Sequence, residues 1–390
     1  MMMKRILAAL LTLLLVVSCV CFAGADYDFQ GPKHQKCTRL SFNDTGKLRI
    51  LQIADVQDGA WLPSIAKLLL FETVRQVKPD LIVLTGDNIS GHSVHTKPGV
   101  VLALRQVMDI LNLFNIPIAA VFGNHDDQGT PLNKLDQMDI YESYPNFIGC
   151  RGVVAEKTVD QTVMNAGTYN LPVYASKDSD EVAFNIWCFD SGNYNPDDSV
   201  GGYGYVFPEQ LEWYVDKSNE LKEANGGKPV PSIAFQHIIP PQIAEALQEV
   251  PEGTPGAVKF SGKWYTLPDG TDLTKNHLSE APCPPELSFR PGYAEVETML
   301  EQGDVTAVFC GHDHINGFSV PYKGIDLVTS PGCTYDSYND ENRGFRLITI
   351  DKNDPTAHES ELLLASDILH PSTRPLLSIL ATILEKTDPV

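Results

Sequence analysis

An α/β protein built on parallel strands is the architecture that this 390-residue chain predicts, on three observations. Short apolar runs alternate with stretches of helical spacing from Leu48 to Phe122. Several runs stop abruptly at a carboxylate, amide or imidazole, where open α/β sheets gather their ligands. At 43% hydrophobic, the chain carries enough apolar surface for one large, elaborated core.

Taken in order, Leu48 to Ala54 reads as a buried strand, and Pro63 to Val77 as a helix with Ile65, Leu68, Leu69 and Val74 on one face. Asp80 to Thr85 is the next strand, Val100 to Phe114 the next helix, and Ile116 to Phe122 the third strand. Such alternation requires crossover connections, hence parallel pairing. Val182 to Phe189 and Ser232 to Phe235 continue the strands, with a helix between them from Pro208 to Glu223 that has Pro at its first turn. The segment 251–292 breaks the rhythm. It is rich in Pro and Gly and too long for an ordinary connection, so it reads as an insertion: a lid, a hairpin excursion or a plain surface loop. A helix over Tyr293 to Glu301 leads to a strand at Ala307 to Cys310, and Asp326 to Thr329, Phe345 to Ile350 and Glu359 to Leu364 close the series. Leu376 to Leu384 reads as a short amphipathic helix or a tail, within a C-terminal tail 366–390.

The N-terminus has Lys4-Arg5, an apolar run from Ile6 to Val17, and Ala23-Gly24-Ala25. That pattern predicts a signal peptide over 1–25, because a membrane span needs roughly 20 apolar residues. A lipid anchor at Cys19, in Val16-Val17-Ser18-Cys19, is the variant reading. The expected product is secreted or extracytoplasmic, with an N-terminal extension 26–46 and a main domain 47–365. The formal charge of −21 becomes more negative when Lys4 and Arg5 are removed. It argues against a nucleic-acid partner, and a phosphate substrate then needs bound cations to reverse the local field. An exported context permits disulfides among the remaining cysteines, although Cys188 and Cys310 sit inside apolar strands and are expected as free core thiols.

The polar strand ends are Asp55 and Gln57, Asp87 and Asn88, Asn124-His125-Asp126, His237, and His312 with His314. Each has an ordinary explanation alone: a strand-end Asp usually caps a helix, and Gly-Asn-His-Asp is common turn composition. His312 and His314 are harder to dismiss, since alternate residues of an extended segment face one way. Five such ends in one strand-helix alternation point to a metal site.

Asp55-Val56-Gln57, Gly86-Asp87-Asn88, Gly123-Asn124-His125-Asp126, His237 and Gly311-His312-Asp313-His314 resemble the five blocks of the calcineurin-like metallophosphoesterase superfamily. Thr85 to Ile89, Gly202-Tyr203-Gly204-Tyr205 and Gly311 to Asn316 look like its purple acid phosphatase 29-like branch. The resemblance, covering roughly Leu48 to Leu364, implies a four-layer α/β/β/α sandwich of mixed sheets with metals at the strand C-terminal ends. It implies that Asp87 bridges two metal ions, that Asp55, Gln57 and His314 complete the first site, and that Asn124, His237 and His312 complete the second. A metal-bridging hydroxide would attack phosphorus, while His125 would stabilise the phosphoryl oxygens or protonate the leaving group, with Asp126 fixing its tautomer. The implied activity is hydrolysis of small phosphomonoesters or phosphodiesters.

Two departures matter. Gln57 replaces the His usual in the first block, a neutral oxygen donor read here as tuning rather than loss of the site. Ser90 stands where purple acid phosphatases place a metal-binding Tyr, so no purple colour is expected. The oxygen-rich first site suits Mn, Mg or Fe ions, and the second Zn or Mn. The competing expectation is a non-catalytic exported binding protein with a degraded first site. Tyr203, Tyr205 and Arg343 are softer candidates for flanking a substrate.

Overall fold

The strand Leu81–Thr85 is buried at every position, so both of its faces are covered, as parallel strands require. This strand, β3, lies in the middle of a computed structural model that describes residues 39–150, 166–195, 201–285 and 294–369. The expected signal peptide, Cys19, and the tail helix Leu376 to Leu384 lie outside the described residues, as does Cys37. β3 pairs in parallel with β2 (Lys47–Ile53) and β4 (Ile118–Val121). The hairpin of β14 (Gly344–Asp351) and β15 (Asp354–Leu364) adds two antiparallel strands beside β2, giving a mixed five-stranded sheet.

A second, seven-stranded sheet has β1 (Leu40–Ser41), β5 (Tyr169–Tyr174), β6 (Val182–Cys188), β7 (Ser232–Phe235), β11 (Val305–Cys310), β13 (Ile325–Thr329) and β12 (Ser319–Tyr322) in that spatial order. The two inner faces share one core, in which Ile50, Val83 and Val121 meet Phe184, Phe235 and Phe309. The outer face of the first sheet is covered by α1 (Ser64–Val77), α2 (Lys97–Asn112) and α3 (Lys134–Glu142). The outer face of the second is covered by α4 (Pro208–Ala224) and α6 (Glu295–Gln302), with the single-turn α5 (Ile243–Ala246) beside them. Helices, sheet, sheet, helices is the expected four-layer sandwich. Every described strand-end of the five motif blocks opens on one edge of it.

Local chemistry explains the element boundaries. α2 begins a turn earlier than its apolar spacing suggests, because the Thr96 hydroxyl accepts from Gly99 N and Pro98 suits the first turn. α3, missed by periodicity, rests on a capping box: Asn133 Oδ1 accepts from Asp136 N, and Asp136 Oδ2 from Asn133 N. Within 26–46, expected as an extension, β1 pairs with β5. The 251–292 segment is a hairpin excursion: β9 (Val258–Phe260) and β10 (Lys263–Thr266) join β8 (Gln248–Val250) in a small antiparallel sheet. Its described remainder returns to the motif edge, where His277 pairs with Gly317 and the Asn316 side chain accepts from Ser279 N and Glu280 N. Just below that edge, Gln52 joins the two sheets. Its amide donates to Thr85 Oγ1 and Cys310 O, and its oxygen accepts from Ser330 Oγ.

Candidate metal centre

Four of the expected ligands adopt left-handed backbone conformations, with φ of 49° at Asp55, 37° at Gln57, 47° at Asp87 and 74° at His312. Such conformations are uncommon outside glycine and cluster where surrounding structure enforces them. Each occurs just past the end of β2, β3 or β11, where the chain turns sharply and carries its side chain over the sheet edge. Gly86 permits the turn before Asp87: its φ is 86°, and a Cβ there would lie 2.6 Å from His237 Nδ1. A Cβ on Gly123 would collide with the Asp87 carboxylate.

These turns bring two sets of donors together. Potential ligand atoms of Asp87, His237 and His312 all lie within 4.8 Å of one another, as do those of Asp55, Asp87 and His314. Asp87 belongs to both. Gln57 Nε2 stands 3.5 Å from Asp87 Oδ2, and Asn124 follows Gly123, whose backbone abuts Asp87. All seven expected ligands are buried. The imidazoles are aimed from behind. His237 Nδ1 meets Thr85 O at 2.9 Å and His314 Nδ1 meets Tyr338 O at 2.8 Å, leaving each Nε2 toward the carboxylates. Backbone carbonyls used in this way fix the ring tautomer of a ligating histidine. His237 Nε2 is 3.2 Å from Asp87 Oδ2, and His314 Nε2 is 3.5 Å from Asp55 Oδ1.

Burial opposes charge on His237, yet the Asp87 and Asp55 carboxylates outweigh it and raise the imidazole to about 10. Burial likewise opposes the Asp87 anion, but His237 and His125 hold that carboxyl well below its usual range. His312 goes the other way: burial, then the charge on His237, drive it well below its ordinary value, so the ring is neutral.

The group that tests these donors against metal ions is a set of orphaned atoms. Gln57 Oε1, Asn124 Oδ1, His237 Nε2 and His312 Nε2 are buried without hydrogen-bond partners among the described residues. Unpaired buried polar atoms are costly, and these four, on the motif blocks that also supply Asp55 and Asp87, have the composition of a mixed N/O cation site. The residues fit two cations that share Asp87. A third group, Cys283 with His312 and Asp313, borders the second set. Burial and the neighbouring Asp313 push the Cys283 thiol up to about 12.

Asp126 requires a correction. Its carboxylate does not touch the His125 ring. Oδ1 accepts from Asn88 N and Ile89 N, and Oδ2 from Gly123 N, so it ties the second and third motif loops together. Burial and the Asp87 charge push it up to about 8, against donors that favour the anion. His125 donates its backbone N–H to Asp87 Oδ1 at 2.7 Å, and its Nδ1 lies 2.5 Å from Gln128 Oε1. Gln128 was not foreseen; the signal available was its place three residues on in a tight turn. Of the softer candidates, Tyr203 stands edge-on to His312 with ring centroids 4.3 Å apart. Tyr205 packs on Phe207, and Arg343 stacks over Tyr335 and donates to Thr334 O. Sequence reasoning also passed over Tyr338, which stacks on His314 at 4.2 Å, and Glu280, whose carboxylate accepts from Ile315 N and Tyr338 Oη. Ser90 Oγ faces His92 and Ser93.

Comparison with known proteins agrees with this architecture. The family described as calcineurin-like phosphoesterase matches residues 48–316. The chain is 27% identical over 365 residues to the "Probable inactive purple acid phosphatase 29" of Arabidopsis thaliana, covering 88% of this chain and 85% of that protein. It is 27% identical over 333 residues to that plant's "Probable inactive purple acid phosphatase 28", covering 78% and 74%. With "Phosphatase DCR2" of Saccharomyces cerevisiae it shares 26% identity over 315 residues, covering 75% of this chain and 48% of that protein. A family match across more than half the chain, laid over a sandwich whose motif ends converge on Asp87, makes this chain a member of the calcineurin-like phosphoesterase family.

Proposed function

We propose that this protein is an exported phosphoesterase that holds two metal ions and hydrolyses small phosphomonoesters or phosphodiesters. The observation that carries the reading is the membership of Asp87 in both donor sets, with buried unpartnered atoms on Gln57, Asn124, His237 and His312. Asp55, Gln57, Asp87 and His314 would hold the first ion, and Asp87, Asn124, His237 and His312 the second. Bound there, the cations supply Lewis-acid polarisation of the phosphoryl group and an acidified water. The chain's own groups do the rest. Asp87 and Asp55 keep the site from repelling the ions, and neutral amides and imidazoles leave net positive charge for a phosphate. His125, half-buried beside the site, faces the leaving-group side and supplies a proton there. The Lys4-Arg5 start, apolar run and Ala-Gly-Ala end support export. No described helix is long and apolar enough to cross a membrane.

Two relatives named as probable inactive proteins, together with Gln57, favour a second reading, in which the fold binds metal and phosphate without turnover. One experiment separates them. Metal content is measured on the purified protein, then hydrolysis of 4-nitrophenyl phosphate and bis(4-nitrophenyl) phosphate is assayed with Mn²⁺, Mg²⁺, Fe²⁺ and Zn²⁺ in turn. The enzyme reading expects two ions per chain, turnover of at least one ester, and a loss of roughly 100-fold or more in Asp87→Asn. Two ions with no turnover in any metal would establish the binding protein instead.

A further inference from the structure

The side chain that fixes the His125 ring is not the adjacent carboxylate. The Asp126 carboxylate has all three of its described hydrogen bonds committed to backbone N–H groups of Asn88, Ile89 and Gly123. Gln128 fills the role instead. Its Oε1 lies 2.5 Å from His125 Nδ1, and its Nε2 donates to the Tyr194 hydroxyl at 3.0 Å. The neighbouring side chains hold this arrangement. Tyr194 stacks on Tyr203, with centroids 5.9 Å apart and planes 22° apart, and Tyr203 stands edge-on to His312. Asn193 Nδ2 donates to Asp127 Oδ1 at 2.7 Å, so the loops bearing Tyr194 and His125 are joined at a second point.

The chemistry selects one orientation of the amide. A proton-donating imidazole carries N–H on both ring nitrogens, so Nδ1 must face an acceptor. Only the oxygen end of Gln128 is one, and turning it toward His125 leaves the NH₂ end for the tyrosine hydroxyl, which can accept.

We propose that Gln128, anchored by Tyr194, is the positioning residue of His125: its amide oxygen holds Nδ1–H and so directs Nε2 to the leaving-group oxygen. This rests on the enzyme reading above only for its kinetic consequence. The ring tautomer is a property of the folded protein whether or not it turns over.

The test pairs two aryl phosphates with ring-nitrogen NMR. Phenyl phosphate has a poor leaving group and needs a proton; 2,4-dinitrophenyl phosphate has a good one and does not. In Gln128→Ala, kcat for phenyl phosphate is expected to fall at least about tenfold, while that for the dinitrophenyl ester changes less than about twofold and KM for both holds. Gln128→Glu, which restores an acceptor, should recover most of the loss. Tyr194→Phe keeps the ring stack but removes the anchor, and should shift the ratio in the same direction by a smaller factor. In the zinc-loaded protein labelled at histidine nitrogen, with the His125 signals assigned by their loss in His125→Gln, wild type should show a protonated Nδ1 and Gln128→Ala a mixture of tautomers. An equal fall for both esters, or an unchanged His125 tautomer in Gln128→Ala, would overturn the proposal. If wild type hydrolyses neither ester, the enzyme reading has failed on its own account. The NMR result then decides the positioning role: loss of the Nδ1–H form upholds it, and its persistence refutes it.

Discussion

His237 sits between Asp87 and Asp55 with no exposure to solvent, so in the absence of metal a proton takes the place of a cation there. Its imidazole is raised from 6.5 to about 10 in the fold. A group whose folded value lies above its unfolded one contributes stability below the unfolded value and loses it as pH climbs through the folded one. The chelated protein should therefore lose stability between about pH 6.5 and 10, by an amount on the order of 5 kcal/mol. With zinc bound the proton is displaced, and that slope should vanish. Urea unfolding at several pH values, with and without zinc, checks both halves; a chelated protein equally stable across the window would contradict the assignment. The ligands themselves were legible in the chain because each ends an apolar run, a placement that depends only on local pattern. The partner of His125 was not. Adjacency suggested Asp126, but successive residues past a strand end point apart, and Asp126 is turned inward to three backbone donors while Gln128 folds back to the ring.

Among the helices of eight residues or more, α3 has the weakest apolar stripe, and it carries a consequential polar side chain. Lys134 is buried, its ammonium 2.9 Å from Asp190 Oδ1, whose oxygen also accepts from Gly192 N. This pair joins α3 to the loop after β6 that bears Tyr194. Breaking a buried pair leaves an uncompensated charge, so Lys134→Met should cost about 3–5 kcal/mol at pH 8. Burial already lifts Asp190 to about 6 despite Lys134. Near pH 5 it can take up a proton, and the loss should shrink there. Lys134→Met combined with Asp190→Leu should recover much of the stability, measured by urea unfolding; a double variant as unstable as the single one would rule out the charge explanation. Periodicity found β2, β3, β4, α1 and α2, whose apolar faces are broad. It missed α3 and the two-residue β1, because a cap and a sheet register, rather than a hydrophobic stripe, define them. The excursion through β9 and β10 was legible as an interruption, but its return to Asn316 depends on contacts more than thirty residues apart.

At the scale of the whole molecule, the formal charge of −21 surrounds a site proposed to take an anion. Long-range repulsion should slow encounter at low salt and fade as counterions screen it. Raising ionic strength from about 10 to about 200 mM should increase kcat/KM for phenyl phosphate by roughly threefold, the reverse of an enzyme with a basic surface. A fall in kcat/KM over that range would show that the site's own field dominates at distance. The parallel strands were legible from the alternation, and the four-layer sandwich only through the family resemblance of the motif blocks. How its two sheets face each other was not, since Gln52 and the paired aromatic layers that join them are distant in sequence. The left-handed turns at Asp55, Gln57, Asp87 and His312 have one more consequence. These conformations are enforced by backbone and carbonyl contacts that exist without any ion: Asp55 accepts from His312 N, Asp87 from His125 N, and Thr85 and Tyr338 carbonyls hold the two rings. In a small zinc domain the ion shapes the chain that captures it, whereas here protein hydrogen bonds hold the ligand-bearing turns. If two cations are held here as proposed, supply as much as ligand chemistry would decide which elements fill the site, and the same polypeptide drawn from two environments would be two different reagents.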